Sequence, residues 1–174
     1  GQEHLVGEGK PLKQAVENRH LFSFILWGPP GVGKTTLARI YAKAVNAEYH
    51  ELSAVSAGKD DIRKIISDPD LRIESGSTDT YGSKPKILFL DEIHRFNKAQ
   101  QDFLLPYVER GELYLIGATT ENPSFEVIAP LLSRCRVFVL NELNNEEMKR
   151  IIDRIKIKID VEAKDWLVSM ANGD

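Results

Sequence analysis

A chain of 174 residues with 42% hydrophobic and 28% charged side chains has an ordinary globular composition and room for one well-filled core. Its net charge of −3 excludes a wholly basic nucleic-acid coat and leaves only local Lys and Arg clusters for such contacts. No apolar run is long enough to cross a bilayer, no signal-peptide pattern opens the chain, and a single cysteine cannot form an internal disulfide, so a cytosolic setting is expected.

Taken from the N-terminus, GKPLKQAVENRH has helical spacing, with Leu12, Ala15 and Val16 on one side. FSFILWG is a short apolar run closed by glycine, the pattern of a buried strand. KTTLARIYAKAV returns to helical spacing through Leu37, Ile40, Tyr41, Ala44 and Val45. AEYHELS reads as a second strand, and KDDIRKIIS as a short helix from Lys59. Residues 69–84, rich in Ser, Gly, Thr and Asp, have the composition of a surface loop. PKILFLDE is a third buried strand. NKAQQDFLLPYVERG reads as a helix with Asn97 as N-cap, Gly111 as its stop and Pro106 expected to bend it. LYLIGATT and RVFVLNE are two further apolar strands.

The remainder changes character. NNEEMKRIIDRI is an amphipathic helix following Asn145, with an acidic first turn, and VEAKDWLVSMAN is another. IKIKIDV, between them, reads as a frayed helix end and a turn. Strands alternating with helices predict an α/β fold whose parallel sheet is covered on both faces. The change near Asn141 predicts a core over 1–140 and a helical piece over 141–174. Because the sequence opens at Gly1 and stops at ANGD, just after the apolar face of a helix, a fragment of a longer chain is expected.

Two motifs carry chemistry. GPPGVGKT comprises Gly28, Pro29, Pro30, Gly31, Val32, Gly33, Lys34 and Thr35, and Thr36 follows it. It matches G-x-x-x-x-G-K-[ST] directly after a strand and at the start of a helix, the context a phosphate loop requires. Its glycines let backbone N–H groups turn toward phosphates, and the helix N-terminus adds positive potential. Lys34 can reach the β- and γ-phosphates of ATP, and Thr35 can place its hydroxyl on Mg²⁺. The plainer alternative is a turn that only joins strand to helix.

The second motif is the acidic pair closing ILFLDE. Asp91 and Glu92 stand at the C-terminal end of a buried strand, the edge where open parallel sheets bind ligands. Asp91 suits the Mg²⁺ shell, and Glu92 can take a proton from a water attacking the γ-phosphate. A nucleotide-gated switch needs Lys34, Thr35 and Asp91 but no base, so Glu92 favours hydrolysis over a recruitment subunit with little turnover.

GPPGVGKT, LDE, GATT and SRC occur in the order and spacing of the AAA+ ATPases, in the branch containing DNA clamp loaders. More narrowly, DEIHRFNKAQQDFLLPYVE and IGATTENPSFEVIAPLLSR resemble the replication-associated recombination protein A family, whose eukaryotic relative is Werner-helicase-interacting protein. The resemblance implies a phosphate-loop NTPase with a five-stranded parallel sheet, its phosphate-loop strand near the middle, followed by the start of a helical lid. It implies a cytoplasmic, nucleoid-associated ATPase working on single-stranded, forked or gapped DNA with replication proteins, and assembling as a homotetramer.

By the same resemblance Thr120, with Thr119 beside it, is the sensor that orients the lytic water; the plainer alternative is a strand-end threonine that caps a turn. Ser53 aligns with a polar residue that restrains the catalytic glutamate until DNA arrives. Arg134 in SRC is the arginine finger that reaches a neighbouring subunit's γ-phosphate, whereas Arg136 begins the next strand. A guanidinium is always charged and presents a rigid plane of donors, and such a finger is worth roughly 10³–10⁵ in rate, or about 4–7 kcal/mol of barrier. The alternative for Arg134 is a surface pair with a nearby carboxylate. The family continues past this sequence with a lid arginine and an assembly domain, so weak nucleotide binding and poor hydrolysis are expected of this piece by itself.

Lys59, Arg63, Lys64, Arg95 and Lys98 are the candidate DNA contacts, which would grip phosphates without reading sequence. Their alternative is an ordinary solvated face. His94 has no partner histidine or cysteine in the motif and makes no metal case. Trp27 and Trp166 are expected in the core.

Overall fold

The structure, a computed structural model, describes residues 1–66, 84–154 and 160–171. Its sheet has five strands: β1 (Phe24–Trp27), β2 (Glu48–Ser53), β3 (Lys86–Asp91), β4 (Tyr114–Thr119) and β5 (Arg136–Val139). They lie in the order β2-β3-β4-β1-β5, and every pairing is parallel. β4 is therefore central, and β1 is interior, one place from the edge. Parallel neighbours need crossovers. Helix α3 (Lys34–Ala44) lies between β1 and β2, and α5 (Lys98–Glu109) lies between β3 and β4.

The alternation of side chains along each strand explains why both faces are covered. Phe24, Leu26, Ile87, Phe89, Ile116 and Ala118 meet α2 (Pro11–Glu17) and α3 through Leu12, Ala15, Ala38, Tyr41 and Ala42. Ile25, Leu88, Leu90 and Leu115 meet α4 (Lys59–Ile66) and α5 through Ile62 and Leu104. Each fully buried aliphatic or aromatic side chain is worth about 1.5–3 kcal/mol, so the sheet holds its strand ends rigidly.

Some expectations shift by a residue or a face. Helix α3 buries Ala38, Tyr41, Ala42 and Val45, while Ile40 is 60% exposed and Ala44 is also outside. Two alanines against the sheet let the helix approach closely, and this turns Ile40 away. Asn97 caps α5 as expected, in a reciprocal pair with Gln100 at 3.0 Å each way. The helix runs unbroken through Pro106, and Gly111 follows its end at φ 69°. Helix α8 (Asn145–Arg154) takes its cap one residue earlier than expected: Asn144 accepts from Glu147 N at 2.9 Å, and Asn144 N donates to the Glu147 carboxylate at 3.0 Å. On α9 (Val161–Ala171) Val168 is the buried residue, and Trp166, expected in the core, is 60% exposed on the other side. The expected loop at 69–84 and the turn before α9 fall almost wholly outside the described residues.

Four-residue helices α1 (Glu3–Val6), α6 (Pro123–Glu126) and α7 (Ala129–Leu132) are too short to leave a periodic signal. The last two join β4 to β5, and a buried glutamine anchors them. The Gln101 amide donates to Phe96 O and Glu126 O at 2.9 Å each, and its oxygen accepts from Ile128 N at 2.9 Å. The side chain is 1% exposed. Replacing it with leucine removes both polar atoms and strands those backbone groups. Gln101→Leu is expected to lower unfolding stability by about 2–3 kcal/mol in urea denaturation, and a loss below about 0.5 kcal/mol would mean the strut is dispensable.

Candidate nucleotide site

The glycine-rich segment Gly28–Thr35 occupies the junction of β1 and α3, at the C-terminal edge of the sheet. Gly28 N donates to Thr119 O at 3.2 Å, tying the start of the loop to the end of β4. Gly33 has φ 93°, and a Cβ there would meet nothing within 4 Å. Backbone conformation, not space, therefore demands glycine at that turn. Helix α3 starts at Lys34, directly after this turn, so its N-terminus lies at the loop, and a helix N-terminus favours negative charge. Lys34 Nζ lies across the loop, donating to Gly28 O at 2.7 Å and Pro29 O at 2.6 Å.

Beside this loop is a cleft of about 290 Å³ lined by Pro30, Gly31, Gly33, Lys34, Thr35, Thr36, Asp91, Glu92, Thr119 and Thr120. The two chemical motifs and both sensor candidates, far apart along the chain, thus meet at one sheet edge. Gly28, Pro29 and Val32 do not line it. Gly28 and Pro29 turn their carbonyls to Lys34, and Val32, 3% exposed, packs into the core.

Asp91 ends β3 opposite Ser53, and its Oδ1 accepts from Glu92 N at 3.1 Å. Glu92 then adopts φ 54° and ψ 44°, a left-handed conformation that costs a non-glycine residue of order 1 kcal/mol or more. This bend ends the strand and starts a 3₁₀ turn, Ile93–Arg95, whose Ile93 packs on β4. A Cβ on Gly117 would lie 3.0 Å from Ile93 Cδ1, so the glycine in GATT makes room for the turn that carries Glu92.

Thr119 and Thr120 are adjacent in sequence but differ in setting. Thr119 is 1% exposed; its hydroxyl accepts from Glu121 N at 3.0 Å and lies 3.2 Å from Glu121 O and 3.0 Å from His94 Nδ1. Thr120 is exposed at the cleft. Ser53, expected near the glutamate, turns its hydroxyl to Val55 N at 3.4 Å. The basic groups beside Glu92 come instead from its own turn: Arg95 Nε at 3.6 Å and the His94 ring, Nε2 at 3.8 Å, from Oε2. The Thr119 contact of His94 joins the turn after β3 to the end of β4, so no spacing within the motif signals it.

A hydroxyl and a carboxylate, Thr35 and Asp91, are the hard oxygen donors that a magnesium ion prefers. Among the described residues no group of three or more His, Cys, Asp or Glu could hold a metal. Such an ion fits here when phosphate oxygens and water complete its shell.

Arg134 is elsewhere. It precedes β5, whose first residue Arg136 pairs with Phe24 at the start of β1, so it stands at the sheet edge opposite the phosphate loop. At about 3.3 Å per residue, the length of β1 alone separates it from the cleft by more than about 10 Å. Its guanidinium is engaged by Glu109 Oε1 at 2.5 Å, Pro130 O at 2.7 Å and Ser133 Oγ at 3.2 Å. Arg136 begins its strand and stacks over Phe22 at 4.8 Å. The other basic residues are also engaged: Arg63 with Asp60 at 2.6 Å and over Phe103 at 5.2 Å, Lys59 over the same ring at 5.8 Å, and Lys64 with Asp61 at 3.3 Å. Lys98 is exposed at the first turn of α5.

Residues 24–143 match the family model described as ATPase family associated with various cellular activities (AAA). The chain belongs to that family. It is 49% identical over 154 residues to Replication-associated recombination protein A of Haemophilus influenzae, a match covering 88% of this chain and 33% of that protein. It is 44% identical over 184 residues to ATPase WRNIP1 of Dictyostelium discoideum, covering 100% of this chain and 20% of that one. The chain thus spans a third or less of the length of these relatives. Among solved structures, a single-substitution variant of Thermotoga maritima RuvB matches with a TM-score of 0.78 and 29% identity over 99% of this chain and 57% of that one. A second, titled Thermotoga maritima RuvB Holliday junction branch migration motor, matches at 0.72 and 29%, over 93% and 53%. Membership of this family implies nucleotide binding. Among the described residues no helix is long and apolar enough to cross a membrane.

Cys135, next to Arg134, packs beneath α7, and burial pushes its thiol up to about 12. At pH 8 the thiol is neutral, and the residue is half-buried. Alkylation by iodoacetamide, followed by mass spectrometry, is expected to stay negligible in the folded protein and to become fast in denaturant. Rapid labelling of the folded state would show that the SRC turn opens readily.

Proposed function

We propose that this chain is the ATP-hydrolysing core of a DNA-dependent ATPase acting in replication-fork maintenance and recombinational repair, with each ATP cleaved at a seam between two copies. The observation that carries the reading is the division of the charged groups. Lys34, Thr35, Asp91 and Glu92 face one cleft, while Arg134 lies at the opposite edge of the same sheet. A cation on that edge can complete a neighbour's site and not its own.

In this reading Lys34 and the loop amides hold the β- and γ-phosphates. Thr35 and Asp91 would hold Mg²⁺, which supplies neutralisation of charge on the phosphate oxygens. Glu92 accepts the proton of the attacking water, and Thr120 orients that water. Arg134 leaves Glu109 and stabilises the charge developing on the neighbour's phosphate. Residues 1–140 form the catalytic core, and 141–174 open the helical lid. DNA is supported as partner by the relatives named for recombination and by the solved motor titled for Holliday junctions. Of the basic residues, Arg95 and Lys98 are placed best, because they flank the turn that carries Glu92.

In the full-length protein Glu92→Gln is expected to retain ATP binding and lose DNA-stimulated turnover by about 100-fold or more. A wild-type protein without turnover on single-stranded, forked or gapped DNA would overturn the hydrolase reading. Mixing tests the seam. Arg134→Ala and Glu92→Gln subunits, each inactive alone, are expected to recover part of the activity in mixed oligomers, and no recovery in demonstrated mixed oligomers would return Arg134 to a local role.

A further inference from the structure

His94 sits between the two parts of the cleft. It belongs to the 3₁₀ turn after Glu92, but its ring reaches the end of β4. Nδ1 lies 3.0 Å from Thr119 Oγ1, and Nε2 lies 3.8 Å from Glu92 Oε2. Its side chain is 9% exposed, whereas that of Glu92 is 41% exposed. In a nearly buried ring with one nitrogen on a strand-end hydroxyl and a half-exposed carboxylate 3.8 Å from the other, those two neighbours choose the tautomer. An acceptor-only carboxylate favours a proton on Nε2. Nδ1 of the neutral ring is then an acceptor, and Thr119 supplies the matching donor. That hydroxyl lies closer to His94 Nδ1, at 3.0 Å, than to its other acceptor, Glu121 O, at 3.2 Å.

Thr119 itself cannot move easily. It is 1% exposed, it ends the central strand, and its hydroxyl is fixed from the other side by Glu121 N at 3.0 Å. The ring therefore refers the position of Glu92 to the most rigid part of the sheet. Arg95, the cation near Glu92, has a side chain 63% exposed and offers no such reference.

We propose that His94 is a positioning residue for Glu92: through the Thr119–His94–Glu92 chain it holds the carboxylate at the height of β4, where the exposed Thr120 also faces the cleft. The inference rests on the reading of Glu92 as general base and deepens it. The role differs from the one the resemblance implied for Ser53, a restraint on the glutamate until DNA arrives; the Ser53 hydroxyl is turned to its own loop. Misplacing a base by a fraction of an ångström slows chemistry without weakening substrate binding, so the loss should fall on kcat.

Two variants separate positioning from packing. His94→Phe keeps an aromatic ring in the space and removes both nitrogens, while His94→Gln keeps an amide that can donate toward Glu92. In the full-length protein with saturating DNA, His94→Phe is expected to lower kcat about 10- to 100-fold with KM for ATP within about twofold of wild type, and His94→Gln to lie between the two. A kcat for His94→Phe within about twofold of wild type, or a parallel loss of nucleotide affinity, would overturn the proposal. Long-range ¹H–¹⁵N correlation spectra of the ring supply a readout independent of turnover. The Nε2 resonance should carry the proton in wild type and shift in Glu92→Gln. A ring indifferent to that substitution sinks the positioning role while leaving hydrolysis intact; a responsive ring in a protein without turnover sinks the hydrolase reading and leaves the contact standing.

Discussion

Because all five strands run the same way, the sheet assigns each strand end to one of two edges, and this decides which charges of the chain can meet. The C-terminal edge receives the phosphate loop after β1, the acidic pair after β3 and the threonines after β4. The opposite edge receives what precedes β5, and that is Arg134. No side-chain rotation can carry a guanidinium across the length of the sheet. On the proposed reading, the same parallelism that gathers the binding groups forces the last catalytic charge to come from another copy.

Around the cleft, local strain and close packing serve the same end. Glu92 is held in a left-handed conformation, and the turn behind it is seated by Ile93 in the space left by Gly117. Lys34 folds back on the Gly28 and Pro29 carbonyls, which keeps its charge at the mouth of the loop. The α6–α7 segment leading to Arg134 is fixed by Gln101, which also holds Phe96 just beyond the 3₁₀ turn. One buried amide thus joins the turn bearing Glu92 to the segment bearing Arg134. Arg134 is meanwhile paired with Glu109, so on the proposed reading assembly has to exchange a carboxylate for a phosphate.

What could be read in the sequence was contiguous along the chain. GPPGVGKT and ILFLDE carry their own structural context, a strand before and a turn or helix after, so their places in the fold followed directly. The face of α3 was legible only in part: Tyr41 and Val45 are buried as the spacing implies, but Ala38 and Ala42 pack beside them and Ile40 is exposed. The cap of α8 was misplaced by one residue because NN offers two equal candidates, and only the reciprocal contact with Glu147 separates them. His94 and Arg134 were harder still. Their partners, Thr119 and Glu109, are 25 residues away in each case and are brought close only by the sheet and the crossover helix. The adjacent threonines of GATT also look equivalent as letters, yet one closes the strand and the other faces the cleft.

The central claim is that nucleotide is cleaved between copies. A structure of the full-length assembly with a non-hydrolysable ATP analogue and DNA tests it most directly. Arg134 is expected to be released from Glu109, with its guanidinium within hydrogen-bonding distance of the γ-phosphate held by the neighbouring copy's Lys34. Arg134 still paired with Glu109 in every nucleotide-bound copy, and remote from every triphosphate, would contradict it.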